Sequence, residues 1–430
     1  MALCRSTIEQ LESSDANQHY QILLESSQTC EIPAEAARIG FVAESLEETN
    51  DLLKTSLKTL ESKIQEDSWT LRKGIYYCKQ GLDLQGKKVV ALFSGQGSQY
   101  VGMMDKLKDS FASVRESFHT LNTLFHKERW TSLSEIVFPH PAEDKETQQA
   151  QEAHLTRTEH AQPAIGAVSV GLYKILQKAG LKVDATIGHS FGELTALWAA
   201  GVFTDKDYFF LAKERGKAMA APEDPEFDAG GMLAVKADIA QIAEEAKKLP
   251  GVFMANLNSN TQVVLAGAKK AVHKAEEILK EKGYSAVILP VSAAFHTSLV
   301  KHAQKPFADA IHSIAVRTPK IPVYSNTTGD LYPEDPHTIK AMLEKHILNP
   351  VLFKQQIEKA YEDGASLFIE FGPKNILSSL VSNILGDKPH TTVALNPNAK
   401  KNSMRQLWDS ITHLRILGVN LDSIKDKAHL

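Results

Sequence analysis

The chain has 430 residues, of which 43% are hydrophobic and 23% charged, with a formal net charge of −4. That length exceeds what one hydrophobic core ordinarily serves, so more than one domain is expected of an otherwise ordinary globular composition. The 48 Lys and Arg residues are scattered among 52 Asp and Glu without a basic stripe, which argues against nucleic acid as a partner. Cys4, Cys30 and Cys78 form neither a disulfide framework nor a metal-ligand pattern. The N-terminal stretch lacks the apolar core of a secretory signal, and no apolar run approaches a bilayer span. No membrane contact is expected, and a cytoplasmic location is.

Residues 1 to about 36 are polar and weakly patterned, with "YQILLES" as the one strand candidate. "ARIGFVAES" predicts a strand leading into the helix "LEETNDLLKTSLKTLESKIQED", where Leu53, Leu57, Leu60 and Ile64 recur at helical steps on one apolar face. "GIYYCKQG" predicts another strand, so residues 1–86 read as a small α/β module. "KKVVALFSGQGSQYVGMM" then joins a buried strand, Val89 to Phe93, to a Gly-rich turn and a helix, and the same unit returns at "VDATIGHSFGELTALWAA". Two such units, separated by helical stretches such as "AIGAVSVGLYKILQKAG", predict a parallel sheet covered by helices, with functional residues at the carboxyl ends of its strands.

Residues 231–291 change character. "MLAVKA", "IAQIAEEAKKL", "VFMANLN", "TQVVLAG", "AVHKAEEILKEKG" and "AVILPV" alternate strand, helix, strand, strand, helix, strand, the ferredoxin-like order, which marks an inserted subdomain. "IPVYSN" and "SLFIEFGPKNILSSLV" return to strand-then-helix units. The large sheet is therefore expected to be completed by chain from both sides of the insertion, residues 87–230 and 292–395, with 396–430 a closing helical segment.

Gly188-His189-Ser190-Phe191-Gly192 has the G-x-S-x-G form that sets a serine on a sharp strand-to-helix turn. An activated serine needs a base, oxyanion donors and an acyl pocket. The turn "SGQGSQ", Ser94 to Gln99, would let backbone N–H groups point into a cleft, and it lacks both the P-loop lysine and the dinucleotide glycine spacing. Phe191 opens a helix, so its N–H lies at the positive end of the helix dipole. His296, one of sixteen histidines, follows the last strand of the small subdomain and would lie in a cleft between the subdomains; a satisfied loop histidine is the other reading. Arg215 is either a solvated helix charge or, if buried near the serine, a two-hydrogen-bond partner for a carboxylate. His154 and His160 lack helical i, i+4 spacing and no zinc pattern occurs, so no metal site is expected.

In this order, "GQGSQ", "TRTEHAQPAIG", "GHSFGE", the "RG" at Arg215, "NLNSNTQVVLAG", "AAFH" and "EFGP" resemble the motifs of malonyl-CoA:acyl carrier protein acyltransferases. The resemblance is closest to the acyltransferase domains of polyunsaturated fatty acid synthases and related polyketide synthases. It spans about residues 87 to 395, and the preceding module resembles the linker between ketosynthase and acyltransferase. The fold class implied is α/β: a large α/β-hydrolase-like subdomain with a parallel sheet, an inserted ferredoxin-like small subdomain and an N-terminal α/β linker module.

The resemblance also implies roles. Ser190 would be the nucleophile, His296 the general base, and the backbone N–H groups of Gln96 and Phe191 the oxyanion donors. Arg215 would bind the malonyl carboxylate, and Gln162, Asn256 and Asn258 would line the pocket. A backbone carbonyl near Leu352, in "NPVLF", would orient His296, and Phe295 resembles the malonyl-selective pattern. Malonyl-CoA and acyl carrier protein domains would be the partners, within a multienzyme that includes a ketosynthase. No metal or redox cofactor is implied; CoA and phosphopantetheine serve as substrate carriers. A serine hydrolase, with an acid such as Asp228, and a non-catalytic docking domain are the competing readings.

Overall fold

The computed structural model describes residues 1–29, 32–33, 35–82, 86–222, 224, 226–422 and 424; Cys30 lies outside them. The chain forms two compact units, one built from residues within 1–85, 175–182 and 401–427, the other from residues within 86–174 and 183–400.

In the first unit, β1 (Arg38–Gly40), β2 (Ser68–Leu71) and β3 (Ile75–Cys78) form an antiparallel sheet in the order β1-β3-β2. The helix Leu46–Ser62 starts where the Ser45 side chain accepts from the Glu48 N–H, with Glu47 and Glu48 favourably placed in its first turn. Leu52 and Leu60 pack with Trp69 and Ile75, and Leu53 packs with Ile8 and Leu11. The expected apolar face ends early, because Ile64 lies beyond the helix and is 65% exposed. "YQILLES" is helical and not a strand. It falls within the helix Ala16–Thr29, where Tyr20 and Leu23, about one turn apart, meet the cluster of Ile8, Leu11 and Leu53. The helix Ser403–Ile416 belongs to the same unit, with Arg405 donating to Glu48 Oε1 at 3.0 Å and to the Val42 carbonyl at 2.7 Å. Early and late segments that read separately in sequence therefore share one body.

The second unit contains two sheets. Chain order runs β4 (Lys88–Phe93), β5 (Ala185–Gly188), β6 (Gly231–Lys236), β7 (Val252–Ser259), β8 (Gln262–Gly267), β9 (Ser285–Ile288), β10 (Val323–Tyr324), β11 (Ala365–Phe371) and β12 (Thr391–Ala394). One sheet is parallel, in the order β10-β5-β4-β11-β12, so chain from both sides of the insertion completes it. Its central strands are near-continuous buried runs, as strands covered on both faces must be. The other is antiparallel, in the order β7-β8-β6-β9, the ferredoxin-like arrangement. The helices Ile239–Ala246 and Lys269–Glu281 bury Ile242, Val272 and Leu279 against Leu233, Val235, Val263 and Leu265. Strand alternation puts Met232 on the opposite face. Edge strand β7 is stitched to a later loop: Leu257 N–H donates to the Val351 carbonyl and Val351 N–H to the Ala255 carbonyl, both at 2.8 Å.

The turn after β5 is closed by backbone contact. A Cβ on Gly192 would stand 1.9 Å from the Phe93 carbonyl oxygen, and one on Gly188 would stand 2.0 Å from the Gly192 carbonyl carbon. Neither neighbour is a side chain that could swing aside. Gly192→Ala is therefore expected to lower stability by about 1–3 kcal/mol, the usual range for overpacking a filled site. An unchanged denaturation midpoint would contradict this packing.

Candidate active site

Ser190 stands between β5 and the helix Phe191–Ala199, as the N-cap, with φ 52° and ψ −111°. Such a backbone costs roughly 1–3 kcal/mol and persists only where its surroundings fix it. Here they do so through Asn326. The Ser190 N–H donates to Asn326 Oδ1 at 2.6 Å, while Asn326 Nδ2 donates to the Gly188 carbonyl at 2.6 Å and to Gln356 Oε1 at 3.1 Å. Gln356 Nε2 is itself anchored on the Tyr324 carbonyl at 2.7 Å. The Asn326 N–H donates to Glu193 Oε2, and Tyr332 donates its hydroxyl to Glu193 Oε1 at 2.5 Å. Burial pushes the Glu193 carboxyl up to about 7, against the pull of those two hydrogen bonds.

His296 Nε2 lies 2.7 Å from Ser190 Oγ. Its Nδ1 faces the carbonyl oxygens of Asn349, at 2.9 Å, and His346, at 3.3 Å. Carbonyls only accept, so Nδ1 carries the proton and the Nε2 lone pair is left for the serine hydroxyl. The carbonyl expected in "NPVLF" is therefore supplied by the first residue of that stretch, Asn349, and not by Leu352. Leu352 instead gives its N–H to the Asn326 carbonyl at 2.8 Å. The helix Pro336–His346 ends beside the ring, so the carbonyl of its last residue faces Nδ1, and the loop that follows brings the Asn349 carbonyl closer still. Burial first, then the Arg215 charge, push His296 down to about 3, so its ring stays neutral well into acid.

Arg215, on the helix Asp205–Met219, is 1% exposed and not a solvated helix charge. Nη1 donates to Gln162 Oε1 at 2.7 Å, and Nη2 lies 3.4 Å from Ser190 Oγ. Among the described residues the buried Nε has no partner. Burial pushes the guanidinium down to about 9, opposed by the Glu193 charge. Gln162 Nε2 donates to Gln96 Oε1 at 3.3 Å, and Gln96 Nε2 donates to Thr158 Oγ1 at 3.3 Å, which fixes the Gly-rich turn to the arginine.

In the first turn after β5, the N–H groups of Gly192 and Glu193 donate to the His189 and Ser190 carbonyls, and that of Ser190 is taken by Asn326. Among the described residues the N–H groups of Phe191 and Gln96 are given to no other group. Asn258 Oδ1 accepts from His189 Nε2 at 2.7 Å, and Asn258 and Asn256 line a cavity of about 160 Å³ with Gln96, Gln162, Ser190 and His296. Apolar walls come from Met219, Met232, Val264, Leu289 and Phe295. Asp228 is engaged elsewhere, accepting from the Gly230 and Lys269 N–H groups. Among the described residues no cluster of three or more His, Cys, Asp or Glu could hold a metal, and no helix is long and apolar enough to cross a membrane.

Sequence reasoning did not single out Asn326, Glu193 or His346, and it reached Asn349 only as the first residue of "NPVLF". Glu193 closes "GHSFGE" and Asn326 closes "IPVYSN", but nothing in their spacing shows that the two meet.

A parallel-sheet α/β body with a serine on a strand-to-helix turn, a histidine held by carbonyls and a buried arginine defines a serine acyl-transfer class of protein. Residues 90–419 match the acyl transferase domain family, and the chain belongs to it. It is 31% identical over 403 residues to one subunit of the polyunsaturated fatty acid synthase of Thraustochytrium sp., covering 91% of this chain and only 14% of that relative's length. Identity to the malonyl CoA-acyl carrier protein transacylase of Bacillus subtilis is 32% over 308 residues, covering 69% of this chain and 90% of that protein. The acyltransferase domain from the second module of the salinomycin polyketide synthase superposes with a TM-score of 0.73 at 25% identity, covering 98% of this chain and 92% of that one. The α/β fold expected from the sequence is the fold found, and the chain is an acyltransferase.

Asn326→Leu removes the partners of the Ser190 N–H and the Gly188 carbonyl without changing the side chain's size much. Each buried polar group left unsatisfied costs about 1–3 kcal/mol. The variant should unfold at lower denaturant concentration, and an unaltered midpoint would mean the network does not support the turn.

Proposed function

We propose that this domain transfers a malonyl group from malonyl-CoA, through an ester on Ser190, to the phosphopantetheine thiol of an acyl carrier protein. The observation that carries the reading is the Nε–Nη2 edge of Arg215: among the described residues the buried Nε has no partner, and Nη2 has only a long contact to the nucleophile. Nε and Nη2 together form the side-on fork that binds a carboxylate through two parallel hydrogen bonds. Because that fork lies within one contact of Ser190 Oγ, it favours a carboxylate one methylene away from the carbonyl under attack.

In this reading the Ser190 hydroxyl gives its proton to His296 Nε2 as Oγ attacks the thioester carbonyl. The N–H groups of Gln96 and Phe191 receive the oxyanion. Collapse of the tetrahedral intermediate breaks the C–S bond, and the departing CoA sulfur takes the proton from Nε2. The carrier thiol then returns a proton to Nε2 as its sulfur attacks the ester, and the proton goes back to Oγ as it leaves. Nδ1 stays bonded to neutral carbonyls throughout, which suits a thioester, whose leaving group needs less help than an amine.

Gln162, Asn256 and Asn258 shape the acyl pocket. No metal or redox cofactor enters this scheme, and CoA and phosphopantetheine act as substrate carriers. In this reading the domain sits beside carrier and ketosynthase domains of a cytoplasmic multienzyme; the similarity to one subunit of a polyunsaturated fatty acid synthase, of whose length this chain covers 14%, supports its being part of a larger synthase.

Incubation of Ser190→Ala with malonyl-CoA should add no malonyl mass to the protein; stable attachment would sink the assignment. His296→Ala should slow loading by about 10²- to 10⁴-fold, the range for removing a positioned base. Near-normal loading would place the base elsewhere. Arg215→Ala leaves the malonyl carboxylate without its partner in a desolvated site, a loss of about 2–5 kcal/mol. In competition between malonyl-CoA and acetyl-CoA, malonyl loading should collapse while acetyl loading persists or improves. Retention of the wild-type preference would send the search for the carboxylate site away from Arg215.

A further inference from the structure

We infer that Arg215 governs the basicity of His296, so that a substrate carboxylate, by neutralising the guanidinium, strengthens the base that activates Ser190. This rests on the malonyl reading of the Arg215 fork. One serine oxygen, 3.4 Å from Arg215 Nη2 and 2.7 Å from His296 Nε2, separates the two groups. Both side chains are buried, so water and salt screen their interaction poorly.

The other titratable groups around the imidazole do not cancel that charge. His189, just before the serine, donates to Asn258 and is kept neutral by burial. His346, at the end of the helix Pro336–His346, has its ring centre 5.5 Å from that of His296 and is likewise held neutral by burial. Behind His346, Glu193 lies 4.0 Å from its Nε2 and is tied to Tyr332. Its carboxyl, pushed up to about 7, is only partly charged near neutrality. Without a bound carboxylate the guanidinium therefore opposes formation of an imidazolium at His296, adding to the effect of burial.

A carboxylate on the Nε–Nη2 edge reverses this. The proton moving from Ser190 to His296 then meets a neutral ion pair in place of a lone cation, and the transition state gains more than the bound substrate does. Selection for a carboxylated acyl group would thus appear in the rate of acylation at saturation as well as in binding. A neutral acyl group that fits the cavity would still face the weaker base.

The sign of the pH effect follows. The imidazole must be unprotonated to act, a neighbouring cation lowers its pKa, and cancelling that cation raises it. The test is single-turnover acylation of Ser190 at saturating malonyl-CoA and at saturating acetyl-CoA across pH, in wild type and Arg215→Gln. In wild type the malonyl rate should begin to fall in acid about one pH unit above the acetyl rate, the lower end of a typical charge-pair shift. In Arg215→Gln the acetyl limb should move upward. Fast malonyl acylation with coincident limbs in wild type would overturn this inference and leave the malonyl reading standing. Failure of malonyl-CoA to acylate wild type at all would instead remove the reading beneath it.

Discussion

A guanidinium buried beside a serine hydroxyl, its Nε without a partner among the described residues, is the constraint around which the candidate site is organised. Taking such a charge out of water costs several kcal/mol unless its surroundings compensate. Partial compensation is visible on three sides: the Gln162 amide oxygen, the face of the Phe191 ring 5.9 Å away, and the field of Glu193. None of these is a full ion pair. Under the proposed malonyl reading, a substrate carboxylate beside Ser190 would complete that compensation.

The parallel sheet makes that placement repeatable. The ends of β4, β5 and β10 deliver the Gly-rich turn, the serine and Asn326 to one side of the sheet, as strands with a common direction do. Ser190 and His296 both hold left-handed backbone, at φ 52° and 62°. Each is fixed from outside its own segment, Ser190 by Asn326 and His296 by the Ile347, Asn349 and His346 carbonyls. The same loop is stitched to β7 at Val351, so the small sheet that contributes Asn256 and Asn258 also steadies the carbonyls that orient the base.

Much of this was legible because the relevant signals are local. The small sheet announces itself by the order of its strand and helix segments, and the serine turn by glycines whose absent side chains make room for backbone. What sequence did not reveal is set by distant partners. Asn326 reaches Ser190 across 136 positions, and no periodicity encodes that contact. The histidine's acceptor lies at Asn349 and not Leu352 because the helix before it ends at His346, and helix ends are poorly resolved by pattern. The short apolar run in "YQILLES" fits strand and helix equally; contacts with Ile8, Leu11 and Leu53 decide for helix.

The most direct measurement is a crystal structure of the domain trapped as the acyl-enzyme after reaction with malonyl-CoA. The account predicts continuous density from Ser190 Oγ through one methylene to a carboxylate hydrogen-bonded to both Nε and Nη2 of Arg215, with the ester oxygen directed at the Gln96 and Phe191 N–H groups. An acyl group turned toward solvent, with Arg215 still unengaged, would contradict it.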